Sequence, residues 1–238
     1  GRDTLTGAFM QEKGTKKMNI LVVAPHPDDE VIGCGGIMAK KVANGDRVTV
    51  AIMTEGCIPL YSGAFVENER TETIRAAMRL GVKNLAVSQF PAAMLDTIPQ
   101  WKINLALDEI FEDFQPDEIY IPHKGDIHKD HQIIAAACMV AARPKAGKKP
   151  IKVLAYETIS ETDWNAPSLE NAFIPNVFVD ITDHMKDKLE AMRMYKSQLQ
   201  DAPAARSLEG MKAAAAHRGA IVGVKYAEAF MLIREVEK

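Results

Sequence analysis

The run of residues from Asn19 to Glu30 constrains the fold more than any other part of the chain. Asn19–Ala24 is an almost wholly apolar, β-rich segment, as expected for a strand buried on both faces of a parallel sheet. It continues without a gap into Pro25-His26-Pro27-Asp28-Asp29-Glu30. A parallel strand that leads through a loop into a helix places the loop at the carboxyl edge of the sheet, where α/β proteins bind ligands. One imidazole and three carboxylates are therefore expected at that edge.

A second polar cluster follows another apolar strand. The segment Asp126-Ile127-His128-Lys129-Asp130-His131 comes shortly after Glu118–Pro122. So many charges close together are unfavourable unless a cation neutralises part of them. Two strand ends that carry histidine and aspartate clusters therefore predict a mononuclear metal site.

Strand and helix patterns alternate along the chain, which predicts an α/β fold: a three-layer sandwich around a mainly parallel, Rossmann-like sheet. We expect one domain over residues 18–238, and we interpret residues 1–17 as a tail or an expression-derived leader outside the fold. The predicted strands are 19–24, 47–53, 85–89, 118–121, 151–158 and 176–181, and the predicted helices are 31–44, 67–80, 99–114, 131–142 and 183–200, the last capped by Asp183.

Composition narrows the classes of function. The chain has 238 residues, a net charge of -3 and a pI near 6.1, so nucleic acid and anionic membranes are not expected partners. No apolar run is long enough to span a bilayer. Three separated cysteines, Cys34, Cys57 and Cys138, form no CxxC pair, which excludes a thiolate zinc site and favours the reducing cytoplasm.

The residue types fit metal-assisted hydrolysis of an amide. A catalytic zinc ion takes three His or carboxylate ligands and leaves one position open. His26 and Asp29 face the same point across a tight loop, and the third ligand is either His128 or His131. The remaining histidine is then free to donate a hydrogen bond to an oxyanion.

Two aspartates complete this arrangement. Asp28, beside Asp29, is the natural general base for a metal-bound water. Asp130 is placed to orient the histidine that faces the substrate. The alternative reading is structural, because aspartates at a helix start commonly cap it. The second cluster favours the metal site.

Gly33-Cys34-Gly35-Gly36 is reminiscent of a nucleotide-binding loop, but it lies inside the predicted helix rather than in the strand-to-helix turn. The turn itself is acidic and would repel a phosphate. We therefore interpret these glycines as sites of close packing between helix and sheet.

These motifs resemble the PIG-L/LmbE-like zinc N-deacetylases. The resemblance rests on His26–Glu30 and His128–His131, and it extends to Arg70–Glu72, Ala76–Gly81, Tyr195–Gln198 and Tyr226–Phe230, with Arg218-Gly219 before the last. The resemblance implies that His26, Asp29 and His131 bind zinc and that Asp28 is the general base. It implies that His128 is the oxyanion partner or acid and that Asp130 orients it. It also implies that Arg70 and Asp96 contact the substrate.

The resemblance also implies a function: removal of the acetyl group from an N-acetylated amino sugar or glycoconjugate. The alternatives are an amidase acting on another small amide, such as a thiol or antibiotic-precursor conjugate, and a sugar-binding relative without turnover. The expected cofactor is Zn2+, although a His2Asp set accepts other divalent ions. A homo-oligomer, a trimer or hexamer, is compatible with the resemblance.

Overall fold

The computed structural model describes residues 17–147, 149 and 151–237. The expected leader therefore lies outside the described residues, except for Lys17. Within the described part of the chain, no helix has the length and apolar character needed to cross a bilayer.

Seven strands and six helices carry the fold in the described residues. In chain order they are β1 Asn19–Ala24, α1 Asp29–Ala43, β2 Arg47–Glu55, α2 Gly63–Arg79, β3 Asn84–Pro91, α3 Gln100–Phe114, β4 Glu118–Pro122, α4 Lys129–Ala141, β5 Lys152–Tyr156, β6 Val177–Asp180, α5 Met185–Met192, α6 Leu208–Val222 and β7 Ala227–Arg234. Short 3-10 turns at Leu95–Thr97 and Thr182–His184 precede α3 and α5.

The strands form one sheet in the order β3-β2-β1-β4-β5-β7-β6. The first five strands in that order are parallel, and β7 is antiparallel to both β5 and β6. Strands β1 and β4 are neighbours, with Ile20 opposite Glu118 and Val22 opposite Tyr120. Because neighbouring parallel strands end at the same edge, the segments that follow β1 and β4 converge there.

Helices cover both faces of the sheet, which confirms the predicted three-layer α/β fold. Alternate residues of β1 enter different cores: Ile20 and Val22 pack against α1, α2 and α5, whereas Leu21 and Val23 pack against α3 and α4. Burial on both faces explains why β1 reads as a continuous apolar run instead of an alternating one.

One predicted helix is wrong at both ends. The helix expected from Asp183 to Gln200 extends only from Met185 to Met192, and Asp183 lies in the preceding 3-10 turn rather than at a cap. The chain leaves the helix because Tyr195 turns inward and donates a hydrogen bond to Glu30 (2.5 Å), and Ser197 donates one to Glu72. These contacts with buried carboxylates override the helical periodicity of the segment.

The sequence interpretation also missed α6 and β7. Helix α6 begins after Ser207, whose hydroxyl accepts a hydrogen bond from the Gly210 N–H (3.0 Å), and ends at Gly223, whose φ of 76° suits a residue without a side chain. Strand β7 then inserts between β5 and β6. A strand inserted antiparallel between two others cannot be read from local pattern alone.

Two glycines let helix α1 approach the sheet closely. A Cβ atom added to Gly33 would lie 2.2 Å from the Tyr156 ring, and one added to Gly36 would lie 2.7 Å from Ile181. Tyr156 is fully buried, and its hydroxyl donates to the Val23 carbonyl (2.9 Å). The glycines therefore serve packing, as the sequence predicts.

We expect Gly33→Ala to lower the free energy of unfolding by about 1–3 kcal/mol, the usual effect of overpacking a filled core. Tyr156 has no room to move away from the new methyl group. Chemical denaturation followed by circular dichroism measures the change. Gly63→Ala is the control, because nothing lies within 4 Å of its Cβ position at the start of α2. Equal stability of the two variants would contradict the close-packing argument.

Candidate metal centre and active site

The loop between β1 and α1 holds the first polar cluster in a fixed conformation. Thr54 on β2 anchors it: its N–H and its hydroxyl both donate to the Pro25 carbonyl, at 3.1 and 2.8 Å. Asp28 then adopts a φ of 100° immediately before α1. Positive φ is uncommon for residues other than glycine, although aspartate and asparagine tolerate it best. The turn directs the side chains of this loop toward the end of β4.

Three donor groups converge at this edge of the sheet. The His26 Nδ1 lies 3.3 Å from Asp29 Oδ2, and the His131 Nε2 lies 3.2 Å from the same oxygen. These three residues form a group whose ligand atoms all lie within 4.8 Å of one another. Two imidazole nitrogens and one carboxylate oxygen suit a divalent transition-metal ion.

Each of the two histidines is oriented by a carboxylate at its other ring nitrogen. The His26 Nε2 is 3.0 Å from Asp130 Oδ2, and the His131 Nδ1 is 2.9 Å from Asp126 Oδ2. Asp126 in turn accepts a hydrogen bond from the Thr162 hydroxyl (2.6 Å). Histidine ligands in metal sites typically donate their second ring N–H in this way.

The hydrogen bonding of the site leaves room for a cation. The His131 Nε2 and the Asp29 Oδ1 are buried and have no hydrogen-bond partner among the described residues. Buried polar atoms are normally satisfied, so unpartnered atoms at the meeting point of a His2Asp set fit a bound metal ion. The residues present therefore fit the metal that the sequence predicts.

A second possible group consists of His26, His128 and Asp130. Its Asp130 carboxylate is already occupied: it accepts hydrogen bonds from the N–H groups of Ala93 (2.7 Å) and Leu95 (3.1 Å) as well as contacting His26. The group of His26, Asp29 and His131 is therefore the better candidate. The sequence predicts that Asp130 orients His128, whereas its carboxylate contacts the ring of His26.

The charges of the site favour a positive species between the histidines. Burial alone would raise the pKa of Asp29, but the nearby His131 and His26 hold it well below the usual range. Burial likewise opposes the charging of His131, yet Asp29 and Asp126 raise its pKa to about 10. A carboxylate that stabilises a proton on its neighbours this strongly also stabilises a metal ion in the proton's place.

Asp28 lies beside this group without belonging to it. Both of its carboxylate oxygens are buried and accept no hydrogen bond in the part of the chain that the structure describes, and the Arg206 Nη1 is 3.6 Å from its Oδ2. Burial raises its pKa well above the usual range, although Arg206 acts in the opposite direction. Its backbone N–H donates to Glu30 (3.0 Å), which fixes the peptide. The carboxylate is thus held toward the pocket.

His128 caps α4 and presents one nitrogen to the pocket. Its Nδ1 accepts a hydrogen bond from the Asp130 N–H (3.1 Å), so the Nε2 carries the proton of the neutral ring. Burial, together with the neighbouring His26 and His131, lowers its pKa to about 4. The ring lies 4.5 Å from that of His26, measured between centroids. A neutral imidazole in this position is a hydrogen-bond donor.

The site opens into a pocket of about 300 Å3. Its other walls come from α2 and from the segments that follow β2, β5 and α5. The wall residues with polar side chains are Tyr61, Glu69, Glu161, Ser197, Gln198 and Arg206. The Arg206 guanidinium donates a hydrogen bond to the Ser160 hydroxyl (2.9 Å) and lies 3.2 Å from the Glu161 carboxylate.

The two residues expected to contact substrate do not line this pocket. The Arg70 side chain is 43% exposed and pairs with Glu55, with its Nη2 2.5 Å from the carboxylate. It borders a neighbouring, mostly apolar depression between α2 and strands β2 and β3, which Pro27 and Glu69 also line. Asp96 is exposed in the turn that Asp130 anchors through the N–H groups of Ala93 and Leu95.

All three residues of the convergent group, His26, Asp29 and His131, are among those that the sequence predicts. No role was predicted for three residues near them, Asp126, Glu69 and Arg206. Asp126 belongs to the second motif, five residues before His131, so a local signal existed. Glu69 is next to Arg70, which was predicted to contact substrate. Arg206 lies in a segment with no strand or helix pattern. Only the tertiary structure brings the last two to the pocket.

Comparison with known proteins gives a consistent result. The family model PIG-L, described as GlcNAc-PI de-N-acetylase, matches residues 21–142, just over half of the chain. An uncharacterized deacetylase of Escherichia coli, YaiS, is 28% identical over 205 residues, which are 82% of this chain and 100% of that protein. A probable N-acetyl-alpha-D-glucosaminyl L-malate deacetylase 2 of Bacillus cereus is 29% identical over 192 residues, 76% of this chain and 83% of its own.

A solved structure is similar throughout. The N,N'-diacetylchitobiose deacetylase of Pyrococcus horikoshii superimposes with a TM-score of 0.72 at 26% identity, over 94% of this chain and 87% of that one. The likeness extends beyond the residues that the family model matches.

We expect Asp126→Asn to weaken zinc binding by about 10- to 100-fold, the usual effect of losing a carboxylate that orients a histidine ligand. The asparagine amide has the size of the carboxylate, but it carries no negative charge to attract the ring N–H of His131. Competition with a chromophoric chelator measures the affinity. Asp163→Asn, an exposed change in the nearby loop, is the control. An unchanged affinity would remove Asp126 from the support of the site.

Proposed function

The chain belongs to the PIG-L family, and we propose that it is a zinc-dependent N-deacetylase acting on an N-acetylated amino sugar or a glycoconjugate of one. One observation carries the proposal: a convergent His26, Asp29 and His131 group lies beside a buried, unpartnered carboxylate, Asp28, at the floor of a pocket. Hydrolysis of an amide needs this combination of a cation site, a base and space for the acyl group.

His26, Asp29 and His131 would hold the ion, and Asp126 and Asp130 would keep the two imidazoles in place. A bound zinc ion supplies Lewis acidity, which lowers the pKa of a water molecule and polarises the amide carbonyl. The donor set also accepts other divalent ions, so zinc itself is part of the proposal.

Asp28 would accept the proton that water loses as it attacks the amide carbon. Its two oxygens are free of hydrogen bonds within the described part of the protein and lie at the pocket floor. The positive φ of Asp28 and the hydrogen bond from its N–H to Glu30 hold the carboxylate in this position. A general base contributes about 10^2- to 10^4-fold to the rate of such a reaction.

His128 would donate a hydrogen bond from Nε2 to the oxygen on which negative charge develops. Its Nδ1 accepts a hydrogen bond from the Asp130 N–H, so the proton of the neutral ring is on Nε2. Prearranged donors of this kind stabilise a transition state more than a ground state. The C–N bond would then break as the leaving nitrogen takes up the proton that Asp28 accepted, and the products are acetate and a sugar with a free amine.

The relatives support the choice of substrate. The family description, the Bacillus cereus protein and the Pyrococcus horikoshii enzyme all carry names that refer to removal of an acetyl group from an N-acetylglucosamine unit. The part of the substrate attached to that unit differs among them. The amino sugar is therefore the shared element of the proposal.

The compartment of the proposed enzyme is the cytoplasm. All three cysteines are free thiols, and Cys34 and Cys138 are buried. Buried, unpaired thiols are typical of proteins that fold in a reducing environment.

We expect Asp28→Asn to lower kcat by at least about 100-fold while the zinc content stays near that of the parent, because base and ligand roles are separate. Asparagine tolerates the positive φ at this position, so the loop should keep its conformation. Steady-state kinetics and metal analysis of the same preparation measure both quantities. Loss of zinc on this change would contradict the assignment of Asp28 as a base outside the ligand set.

The matched comparison for that variant is His131→Ala, which we expect to lose both metal and activity. The imidazole supplies one of the three ligands of the proposed group, so its removal leaves only His26 and Asp29. A His131→Ala protein with full zinc occupancy would remove His131 from the ligand set.

The direct test of the function is acetate release by chelated protein, with and without added zinc. The substrates are N-acetylglucosamine, its methyl glycoside, diacetylchitobiose and a nucleotide-linked N-acetylglucosamine. We expect zinc-dependent release from at least one of them. Binding of sugar without release would favour the sugar-binding alternative, and full zinc occupancy without release from any sugar would favour an amidase for a different amide.

A further inference from the structure

Glu69 occupies a place that the proposed reaction does not explain. It lies on α2 with only 6% of its surface exposed, and its side chain lines the same pocket as Asp28 and His128. It is therefore part of the wall that a substrate meets beyond the scissile amide. Neither the acid–base roles nor the metal group uses it.

The Glu69 carboxylate has no cationic partner. Within the described part of the chain, no lysine or arginine lies within ion-pair distance of it. Its hydrogen bonds come from neutral groups, the Gln198 amide (3.2 Å) and the Gly56 backbone. Arg70, the next residue, pairs with Glu55 and Glu67 instead. A buried carboxylate with only neutral partners is further stabilised by hydrogen-bond donors or positive charge on whatever enters the pocket.

The one arginine of the pocket does not compensate. Arg206 already lies between two carboxylates, 3.6 Å from Asp28 and 3.2 Å from Glu161. The pocket as a whole therefore carries three acidic side chains, Asp28, Glu69 and Glu161, and one basic side chain, Arg206. Within the described part of the chain, Glu69 is the acid of this pocket without an ion pair to Arg206.

We propose that Glu69 makes this enzyme selective for N-acetyl amino sugars whose attached group is uncharged or cationic, and that it excludes anionic conjugates. The inference rests on the proposed deacetylase function and specifies its substrate class. A sugar presents hydroxyl groups, which donate to the carboxylate. A carboxylate or phosphate on the attached group would instead be brought close to a buried like charge in a setting of low dielectric.

The named substrates of the relatives include both kinds. The malate group in the name of the Bacillus cereus protein carries carboxylates, whereas diacetylchitobiose is uncharged. We expect the present chain to act on the second kind of substrate.

The protonation of Glu69 sets the pH range in which it discriminates. Burial raises its pKa to about 7, against opposing effects of His26 and the Gly56 backbone, so the carboxylate is mostly charged only above neutral pH. A ligand that donates hydrogen bonds or carries an ammonium group favours the ionised form, whereas an anion disfavours it.

The test compares two substrates with the same sugar and linkage: methyl N-acetyl-α-D-glucosaminide and N-acetyl-α-D-glucosaminyl L-malate. The zinc-loaded protein is assayed for acetate release, and kcat/KM is determined for each. We expect the parent to prefer the methyl glycoside by at least about tenfold. Glu69→Gln should reduce that preference by about tenfold or more, mainly by lowering the KM for the malate conjugate, since it removes one charge at short range.

Glu67→Gln is the matched control. It removes the same charge from the same helix two residues earlier, but its carboxylate belongs to a side chain that is 77% exposed and lies outside the pocket. We expect this variant to keep the parent's preference. An equal effect of both changes would mean that net charge, rather than Glu69 in the pocket, decides the selectivity, and would overturn the inference.

A binding measurement separates this inference from the proposed function. Calorimetric titration of zinc-loaded Asp28→Asn protein, with and without Glu69→Gln, gives the Kd of both glycosides independently of turnover. Discrimination in binding without acetate release from the parent enzyme would refute the function and keep the selectivity. Acetate release with a parent preference for the malate conjugate, or with a ratio unaffected by Glu69→Gln, would refute the selectivity alone. Binding of neither glycoside would refute both.

Discussion

The site depends on one buried carboxylate placed between two imidazoles. Asp29 is inaccessible to solvent, and its Oδ2 lies within 3.3 Å of ring nitrogens of both His26 and His131. A buried charge of this kind is tolerated only when it is paired, so the strands β1 and β4 that carry these residues must end side by side. The sheet order, the turn at Asp28 and the outer carboxylates Asp126 and Asp130 all serve this geometry.

A second set of buried carboxylates ties the pocket wall to the same loop. Glu30 accepts from the Tyr195 hydroxyl, and Glu72 accepts from Ser197. These bonds end helix α5 early and direct the following segment across the site, where it contributes Gln198 and Arg206. This part of the pocket wall is thus positioned by carboxylates at the start of α1 and within α2, close to the loop that carries Asp28.

The α/β class and the candidate metal group were predictable because both follow from local pattern. Six of the seven described strands were predicted, all except β7, and two polar clusters at strand ends pointed to His26, Asp29 and a histidine of the second motif. The pocket wall was not predictable, because Glu69 and Arg206 differ from neighbouring charged residues only in the direction of their side chains. Arg70 and Glu69 are adjacent, yet Arg70 pairs with Glu55 and only Glu69 lines the pocket that holds Asp28 and His128.

The sequence by itself determined the α/β class, the sheet edge at which the chemistry gathers and the donor types that suit a metal ion, since these follow from periodicity and from charge that must be neutralised. The tertiary structure decided which nitrogen of each histidine faces Asp29, that Asp130 contacts His26, and that a carboxylate without a cation lines the pocket. These features depend on contacts between residues as far apart as His26 and Asp130, or Glu69 and Gln198, whose distances are set only when the layers pack together.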